Sequence, residues 1–457
     1  MKNKWKQRVG YGIGTLGRDM VATMVTMYMF YYMTDVLRIP KEMLAYVTSI
    51  IIFMRFFDGL NDPVMGSIID NTKTKWGKFK PWIFVGMILW GFFHVLMFFD
   101  TGLKGSAFLA YFFVTYLLWE ISYTMNDIAY WSMIPSLSRD QKEKEKIGST
   151  ARIFASIGMF AFVVGLIPIS NSLAGLFQSK TKAWLIIALA SSLIMIFFQT
   201  FTLIFVKEEE VGFKKKEKTG LKEILKIIIK NDQLLVIICS MLLFMAAYTA
   251  TTGLGIYYFK YVFGDENKYS VFALILGVSQ IAGLAIFPIL GERLKRSSLY
   301  FLGLAMVIIG YIVFYLAHTN MLVIGIGGTL IFVGEAFIQM LMLMYISDAV
   351  EYGQWKFKKR NDSVTSSVQP LIYKSANAIA GYLTSLALIT SGISGHPEGR
   401  LLSAQAITKF KIYMFIIPVA MIVLGGIILM KKYKIDENFY AKILKENEER
   451  EKEELDS

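Results

Sequence analysis

The stretch Arg55-Phe-Phe-Asp58-Gly-Leu-Asn61-Asp62-Pro63 sets one base and two acids inside an apolar run that extends from about residue 43 to residue 69. At helical spacing Arg55, Asp58 and Asp62 stand at i, i+3 and i+7, so they share one face. A charge at the centre of a bilayer costs about 2.5–3.5 kcal/mol on insertion scales, so such residues face a partner or a water-filled cavity. Two carboxylates one turn apart repel each other, and one guanidinium does not offset both. The arrangement suits the reception of a small cation: Na⁺, Li⁺ or a proton. A purely structural ion-pair cluster is the competing reading, and further charges in neighbouring apolar runs weigh against it.

Those further charges follow a pattern. Arg18 and Asp19 are adjacent in Gly14-Thr-Leu-Gly17-Arg18-Asp19, about three turns into the first run. A carboxylate beside a guanidinium accepts from sugar hydroxyls while staying ionised. In the fourth run Glu120, Thr124, Asp127 and Trp131 advance by four, three and four residues, again one helical face. Thr124 offers a neutral oxygen to a hard cation, Asp127 offers two acceptors to vicinal hydroxyls, and Trp131 offers a flat apolar surface to a pyranose ring. Arg152 opens the fifth run. Charge is sparser in the second half, where Glu335 and Lys374 are the buried candidates; a lone lysine there needs a carboxylate, and the Asp58/Asp62 cluster is the expected partner.

The elements that carry these residues are membrane helices. The chain has 457 residues, 55% of them hydrophobic, which is more apolar sequence than a soluble domain of this length uses. Apolar runs long enough to span a bilayer lie near 10–34, 43–69, 81–99, 106–135, 149–175 and 183–206, and then near 233–261, 269–290, 298–317, 322–349, 364–392 and 408–430. The fold class predicted is therefore an all-α integral membrane protein of twelve transmembrane helices. No run alternates like a strand, so a β-barrel is not expected. The net charge of +13 comes from lysines and arginines in the short connections, a sign of topology rather than of nucleic-acid binding. Both termini and the central connection are predicted to be cytoplasmic. The division expected is 1–206, an N-terminal six-helix half; 207–232, a central loop with an amphipathic helix over 221–230; 233–431, the second half; and 432–457, a cytoplasmic tail that is a solvated helix or disordered. The N-terminal residues 1–8 read as a basic helix start rather than a removed signal peptide. Cys239, the single cysteine, is expected to be a small buried hydrophobe.

Several motifs resemble a known family. Tyr11-Gly-x-Gly-x-x-Gly-Arg18-Asp19, Asp58-x-x-Asn61-Asp62-Pro63-x-Met65-Gly66, Trp76-Gly-Lys-Phe-Lys-Pro-Trp82, Tyr123-Thr124-x-x-Asp127, Lys230-Asn-Asp-Gln233, Asp348-x-Val-Glu351-Tyr-Gly353 and Ser367-Val-Gln369 with Lys374 occur in order across nearly all of the membrane region. They are similar to those of the melibiose-type carriers, which are glycoside–pentoside–hexuronide:cation symporters of the major facilitator superfamily. The resemblance implies two six-helix halves around a mid-membrane cargo site. It implies a cation site of Asp58, Asp62 and Thr124 with Asn61 in the same turn. It further implies sugar acceptors at Asp19 and Asp127, flanking contributions from Arg18 and Arg152, packing by Trp131 and Tyr123, and coupling through Lys374. Beside this, charge alone suggests Arg55 as a partial counter-charge to the Asp58/Asp62 pair.

Two positions depart from that pattern. Gln339 stands where a tryptophan helps wall the sugar, and Glu120 stands one turn before Thr124 where the family has a small residue. Gln339 puts melibiose itself in question, and Glu120 leaves the coupling ion open between Na⁺, Li⁺ and H⁺. The function expected is import of a glycoside, a galactoside-like disaccharide or related sugar, driven by a cation gradient. The alternative is a symporter of the same fold for a pentoside, a glucuronide or an amphiphilic cargo. No enzymatic site is expected: Asp58-x-x-x-Asp62 lacks the second aspartate-rich motif of an intramembrane prenyltransferase, and neither HExxH nor GxSxG occurs. The expected partners are a small glycoside, a monovalent cation and membrane lipid. No cofactor and no nucleic acid are expected, and the expected working unit is a monomer in the cell membrane.

Overall fold

The computed structural model describes residues 2–138, 141–208, 229–358, 368–394 and 402–456. Among the described residues the regular structure is helical, apart from an isolated bridge between Thr74 and Gly77. In chain order the helices are α1 (Lys2–Tyr31, continued by a π-helical turn, Tyr32–Val36), α2 (Lys41–Asp70), α3 (Lys80–Met97), α4 (Gly105–Ser132), α5 (Gln141–Phe177) and α6 (Lys180–Phe205). They continue as α7 (Asp232–Tyr258, then a π-helical turn, Phe259–Phe263), α8 (Lys268–Gly291), α9 (Arg296–Leu316), α10 (Met321–Phe357), α11 (Val368–Thr390), α12 (Ala404–Lys432) and α13 (Glu437–Asp456). Nine of these, α3 to α10 and α12, are long and apolar enough to cross a membrane. Of the expected spans, α1, α2 and α11 fall outside that set; α1 and α2 carry Arg18, Asp19, Arg55, Asp58 and Asp62 of the candidate site. The predicted amphipathic helix over 221–230 lies almost wholly outside the described residues.

Large apolar side chains point outward along these helices: Phe84, Ile88 and Phe92 on α3, Phe197 and Ile204 on α6, Leu274 and Ile281 on α8. That surface suits lipid rather than water, and the protein is a multi-pass membrane protein. Cys239 also lies on the exposed surface, contrary to the expectation of burial. In an all-apolar helix the sequence does not show which side faces lipid, and a thiol is tolerated on either.

The chain forms two compact units, one of Met1–Lys214 with Phe259–Ala273 and Leu388–Leu402, the other of Lys215–Tyr258, Leu274–Ala387 and Ser403–Ser457. In the first, α1 packs along α5 and α6, α3 along α4 and α6, and α2 along α4. Contact between α1 and α6 is close because Gly17 has no side chain: a Cβ there would meet the Met195 backbone at 2.4 Å. That approach fixes the height of the next residue, Arg18.

The turn between α2 and α3 holds the Trp76-Gly77-Lys78-Phe79-Lys80 motif. Gly77 has φ +105°, and a Cβ on it would lie 2.5 Å from the Glu208 carboxyl. Glu208, just past α6, accepts from the backbone N–H of Lys78 at 2.7 Å, Phe79 at 3.2 Å and Lys80 at 3.0 Å. A carboxylate thus satisfies N–H groups that α3 leaves unpaired at its start.

In the second unit α9 packs on α10 and α7 on α12. Asn231 caps α7 by accepting from the Leu234 N–H at 3.1 Å and donates to the Ala349 carbonyl of α10 at 2.9 Å. Beside it Lys356 pairs with Asp232 at 2.5 Å, so the Lys230–Gln233 and Asp348–Gly353 motifs interlock. The tail is a helix, one of the two forms expected, but it is not wholly solvated. α13 docks on α10 through buried Ile443, Trp355 donates to Glu446 at 2.6 Å, and Arg450 donates to the Trp355 carbonyl at 3.0 Å. Its Glu/Lys-rich outer face obscured the short apolar stripe of Phe439, Tyr440 and Ile443.

The Glu208 contacts carry a prediction. Glu208→Ala is expected to destabilise the protein by about 0.5–2 kcal/mol, the range for loss of a helix N-cap. Gly77→Ala is expected to destabilise more in the native background than in Glu208→Ala, because the carboxylate it strikes is then gone. Thermal unfolding of the four variants in detergent checks this; equal Gly77→Ala effects in both backgrounds would contradict it.

Candidate functional site

α2 and α4 together place the cation candidates. Thr124 donates its hydroxyl to Asp58 at 3.0 Å, and both residues are buried. Asn61 and Asp62, in the next turn of α2, are half-buried. The Asn61 amide nitrogen is enclosed with no hydrogen-bond partner among the described residues. A side-chain amide presents its oxygen as readily by a flip, so Asn61 can supply a ligand atom here. Asp58 and Thr124 bring a carboxylate and a hydroxyl together, oxygen chemistry of the kind a hard monovalent cation requires.

The departure at Glu120 has a physical answer. Its carboxylate is fully buried and lies 3.6 Å from the Arg55 guanidinium. Arg55 also stands within electrostatic reach of Asp58, Tyr116 and Tyr123. The third carboxylate therefore sits against the Arg55 guanidinium of α2, and Arg55 is shared between Glu120 and Asp58 rather than committed to Asp58.

One turn along α4, a second cluster holds the cargo candidates. Arg18 donates to Asp127 as an ion pair that is buried on the arginine side, the Asp127 side chain keeping 31% exposure. The Arg18 guanidinium lies over the Tyr130 ring at 4.4 Å and near the Trp131 ring at 5.9 Å, while Arg152 lies over Trp131 at 5.0 Å. Asp19 is half-buried and within electrostatic reach of Arg18, Asp127 and Arg152. Arg18, Asp19, Asp127, Trp131 and Arg152 thus form one platform of two acids, two bases and an indole. Tyr123 stacks on Trp119 at 5.5 Å and meets Trp90 edge-on at 5.2 Å, so its ring is held rigidly within electrostatic reach of Asp127 and Asp58. Arg152 lies inside α5 rather than at its start, and its side chain is exposed.

Gln339 and Lys374 belong to the second unit, on α10 and α11. Gln339 donates to the Tyr373 hydroxyl at 2.8 Å. Glu335, one turn before Gln339, is buried and accepts from Gln280 at 2.9 Å.

Sequence reasoning passed over Tyr130, which lies under Arg18 and bonds the Tyr11 carbonyl and Thr202. Its neighbour Trp131 drew attention instead, and only the helix-crossing geometry shows which of two adjacent aromatics lies beneath the guanidinium. Lys260, Asp35 and Glu266 were also passed over. They stand at the ends of apolar runs, where charge ordinarily marks a membrane boundary.

Comparison with known proteins agrees with this architecture. Residues 10–437 match the family model described as MFS/sugar transport protein. A lactose permease of Lactobacillus delbrueckii subsp. bulgaricus is 30% identical over 97% of this chain and 72% of its own length. A lactose permease of Leuconostoc lactis is 29% identical over 98% and 72%, and a raffinose carrier protein of Pediococcus pentosaceus is 28% identical over 96% and 71%. Among solved structures, one reported for proton dependent oligopeptide transporters superposes with TM-score 0.69 at 12% identity, covering 96% of this chain and all of that one. The nucleoside transporter NupG gives TM-score 0.63 at 16% identity over 95% of this chain and all of its own. These structural likenesses establish the fold. The chain belongs to the MFS/sugar transport family, within the glycoside–pentoside–hexuronide symporter group of the major facilitator superfamily. It is a membrane transporter and not an enzyme.

The two clusters make separable predictions. Thr124→Val is expected to raise the cation concentration for half-maximal stimulation of uptake about tenfold, equivalent to ~1.4 kcal/mol, with cargo affinity at saturating cation little changed. Asp127→Asn is expected to do the reverse, weakening cargo affinity at least about tenfold at every cation concentration. Uptake titrations in the two variants check both; the same defect in both would contradict the division of roles.

Proposed function

We propose that the protein is a secondary active symporter that imports a glycoside together with Na⁺, Li⁺ or H⁺. In this reading twelve helices span the membrane as two halves, 1–206 and 233–431, joined by the 207–232 connection, with both termini cytoplasmic. Asp58, Asp62, Thr124 and Asn61 take the cation. Asp19 and Asp127 accept from cargo hydroxyls, Arg18 and Arg152 donate to ring and hydroxyl oxygens, and Trp131 and Tyr123 pack on the sugar. Gln339 and Lys374 contribute from the second half. No cofactor is required, and the monomer is the working unit.

The observation that carries this reading is the arrangement on α4. Thr124, bonded to Asp58, and Asp127, paired with Arg18, are three residues apart on one rigid helix. Binding a cation neutralises the Asp58 region and releases Arg55 toward Glu120. The α4 turn that follows then settles Asp127 for cargo. By linkage, cargo raises cation affinity by the same factor. The cation gradient supplies direction as the halves alternate the site between membrane faces.

Relatives named for lactose and raffinose support a glycoside cargo. One observation favours the second reading, a symporter for a pentoside, a glucuronide or an amphiphile. Gln339 and Tyr373 form a polar pair at the position where the melibiose-type carriers have a tryptophan, and such a pair suits a more polar or carboxylated sugar.

The deciding experiment is uptake into proteoliposomes under a Na⁺, a Li⁺ or a pH gradient alone, with a panel of glycosides as competitors. At least one gradient is expected to drive accumulation of a glycoside, and Asp62→Asn is expected to abolish the cation stimulation. No accumulation under any gradient would overturn the proposal, and intact stimulation in Asp62→Asn would overturn the cation site.

A further inference from the structure

A second polar cluster lies in the first unit, away from the site described above. It joins the end of α1 to the segment between α7 and α8. Lys260 lies 2.8 Å from Asp35 and 3.3 Å from Glu266, with the Asp35 side chain only 1% exposed. Tyr261 donates at 2.6 Å to the same Asp35 oxygen that Lys260 faces, and Thr34 donates to the second Asp35 oxygen at 2.6 Å. Glu266 accepts from Tyr31 at 2.7 Å and from Asn171 of α5 at 2.8 Å. The Lys260 ammonium also stands 5.0 Å from the Tyr31 ring centroid.

Two features set this cluster apart from ordinary boundary charges. Its charged residues are enclosed and saturated with partners, whereas boundary charges are solvated. Both helices that supply it also leave α-helical geometry there: Tyr32–Val36 and Phe259–Phe263 are π-helical turns. π-helical turns cost hydrogen-bond geometry and recur at functional sites. Furthermore, α7 begins in the second unit and enters the first at Phe259, the first residue of its π-helical turn.

We propose that Lys260, Asp35, Glu266, Tyr31, Tyr261 and Asn171 form a clasp that must part for the cargo route to open at this end of the helices. Its strength then sets how much of the time the transporter faces that side. This rests on the alternating-access reading above. One lysine serves two carboxylates, so the clasp has a net negative charge and opens as a unit: removing the cation leaves two buried acids opposed. Glu266 lies between α7 and α8, faced by Lys260, Tyr31 and Asn171, with Lys180 at longer range. Burial alone would raise its pKa, but the Lys260 charge and the two hydrogen bonds outweigh that and hold it below the usual glutamate range. The stabilisation from Glu266 is therefore fully present above the ordinary glutamate pKa and is lost as pH falls through the lowered one.

Two experiments test the clasp. First, Glu266→Gln and Lys260→Gln are expected to speed backbone hydrogen exchange across Tyr32–Val36 and Phe259–Phe263 about tenfold, with exchange in α3 unchanged. Unchanged exchange in both segments would overturn the proposal, whatever the protein transports. Second, Asp35→Cys with Lys260→Cys, in a Cys239→Ser background, is tethered by a short, cleavable bifunctional thiol reagent. Uptake is expected to fall at least about tenfold on tethering and to return on cleavage. If that pair lacks uptake before tethering, Asn171→Cys with Glu266→Cys gives the same reading. Uptake at the untethered rate in a tethered protein would overturn the clasp alone; absence of uptake in the unmodified protein would count against the proposed function instead.

Discussion

A charge inside a lipid-surrounded helix bundle has to be matched by an opposite charge, by hydrogen bonds, or by an ion or ligand that arrives and leaves. This protein meets that constraint in different ways at different places. Arg296 has one close carboxylate partner, Asp348 at 2.7 Å, and Lys260 is shared between Asp35 at 2.8 Å and Glu266 at 3.3 Å. Arg55 reaches Glu120 only at 3.6 Å and is spread over Asp58 as well. In the proposed function, this shared arrangement around Asp58 and Thr124 is where the cation binds.

In the proposed mechanism α4 is the element that couples the two clusters. Its face carries Glu120, Thr124, Asp127 and Trp131 in succession, so the Thr124–Asp58 hydrogen bond and the Arg18–Asp127 pair lie one turn apart on the same helix, and the proposal has a change of charge at Asp58 reach that pair. Close packing transmits such a change because the neighbours have little room to absorb it. Gly17 sets α1 hard against α6, Tyr130 supports Arg18 from beneath, and Tyr123 is fixed between Trp119 and Trp90. The rings that flank the platform thus form a rigid wall, on which Asp19, Asp127 and Trp131 are exposed in part and Arg152 more fully.

Helix positions were legible in the sequence because a run of about twenty apolar residues has few alternatives to a membrane helix. The expected run 269–290, for example, became α8 at Lys268–Gly291. The α4 face was legible too, since 3.6-residue periodicity fixes which residues share a side. What one helix's periodicity cannot supply is the partner on another helix. The pairing of Glu120 with Arg55, the ring of Tyr130 under Arg18, and the Lys260 cluster all depend on helix crossings. The docked tail was missed for a related reason: its apolar stripe is three residues among charges, and it acquires meaning only against Tyr352 and Trp355 of α10. Cys239 shows the limit in the other direction, because an apolar helix in lipid gives no sign of which face is inside.

The central claim is that ion and cargo share one binding free energy through α4. Calorimetric titration of the purified protein measures it directly: cargo affinity with and without saturating cation, and cation affinity with and without saturating cargo. The account predicts that each ligand tightens the other and that the two factors are equal. Cargo affinity that is the same in Na⁺, in Li⁺, at either pH extreme and with no coupling ion present would contradict it.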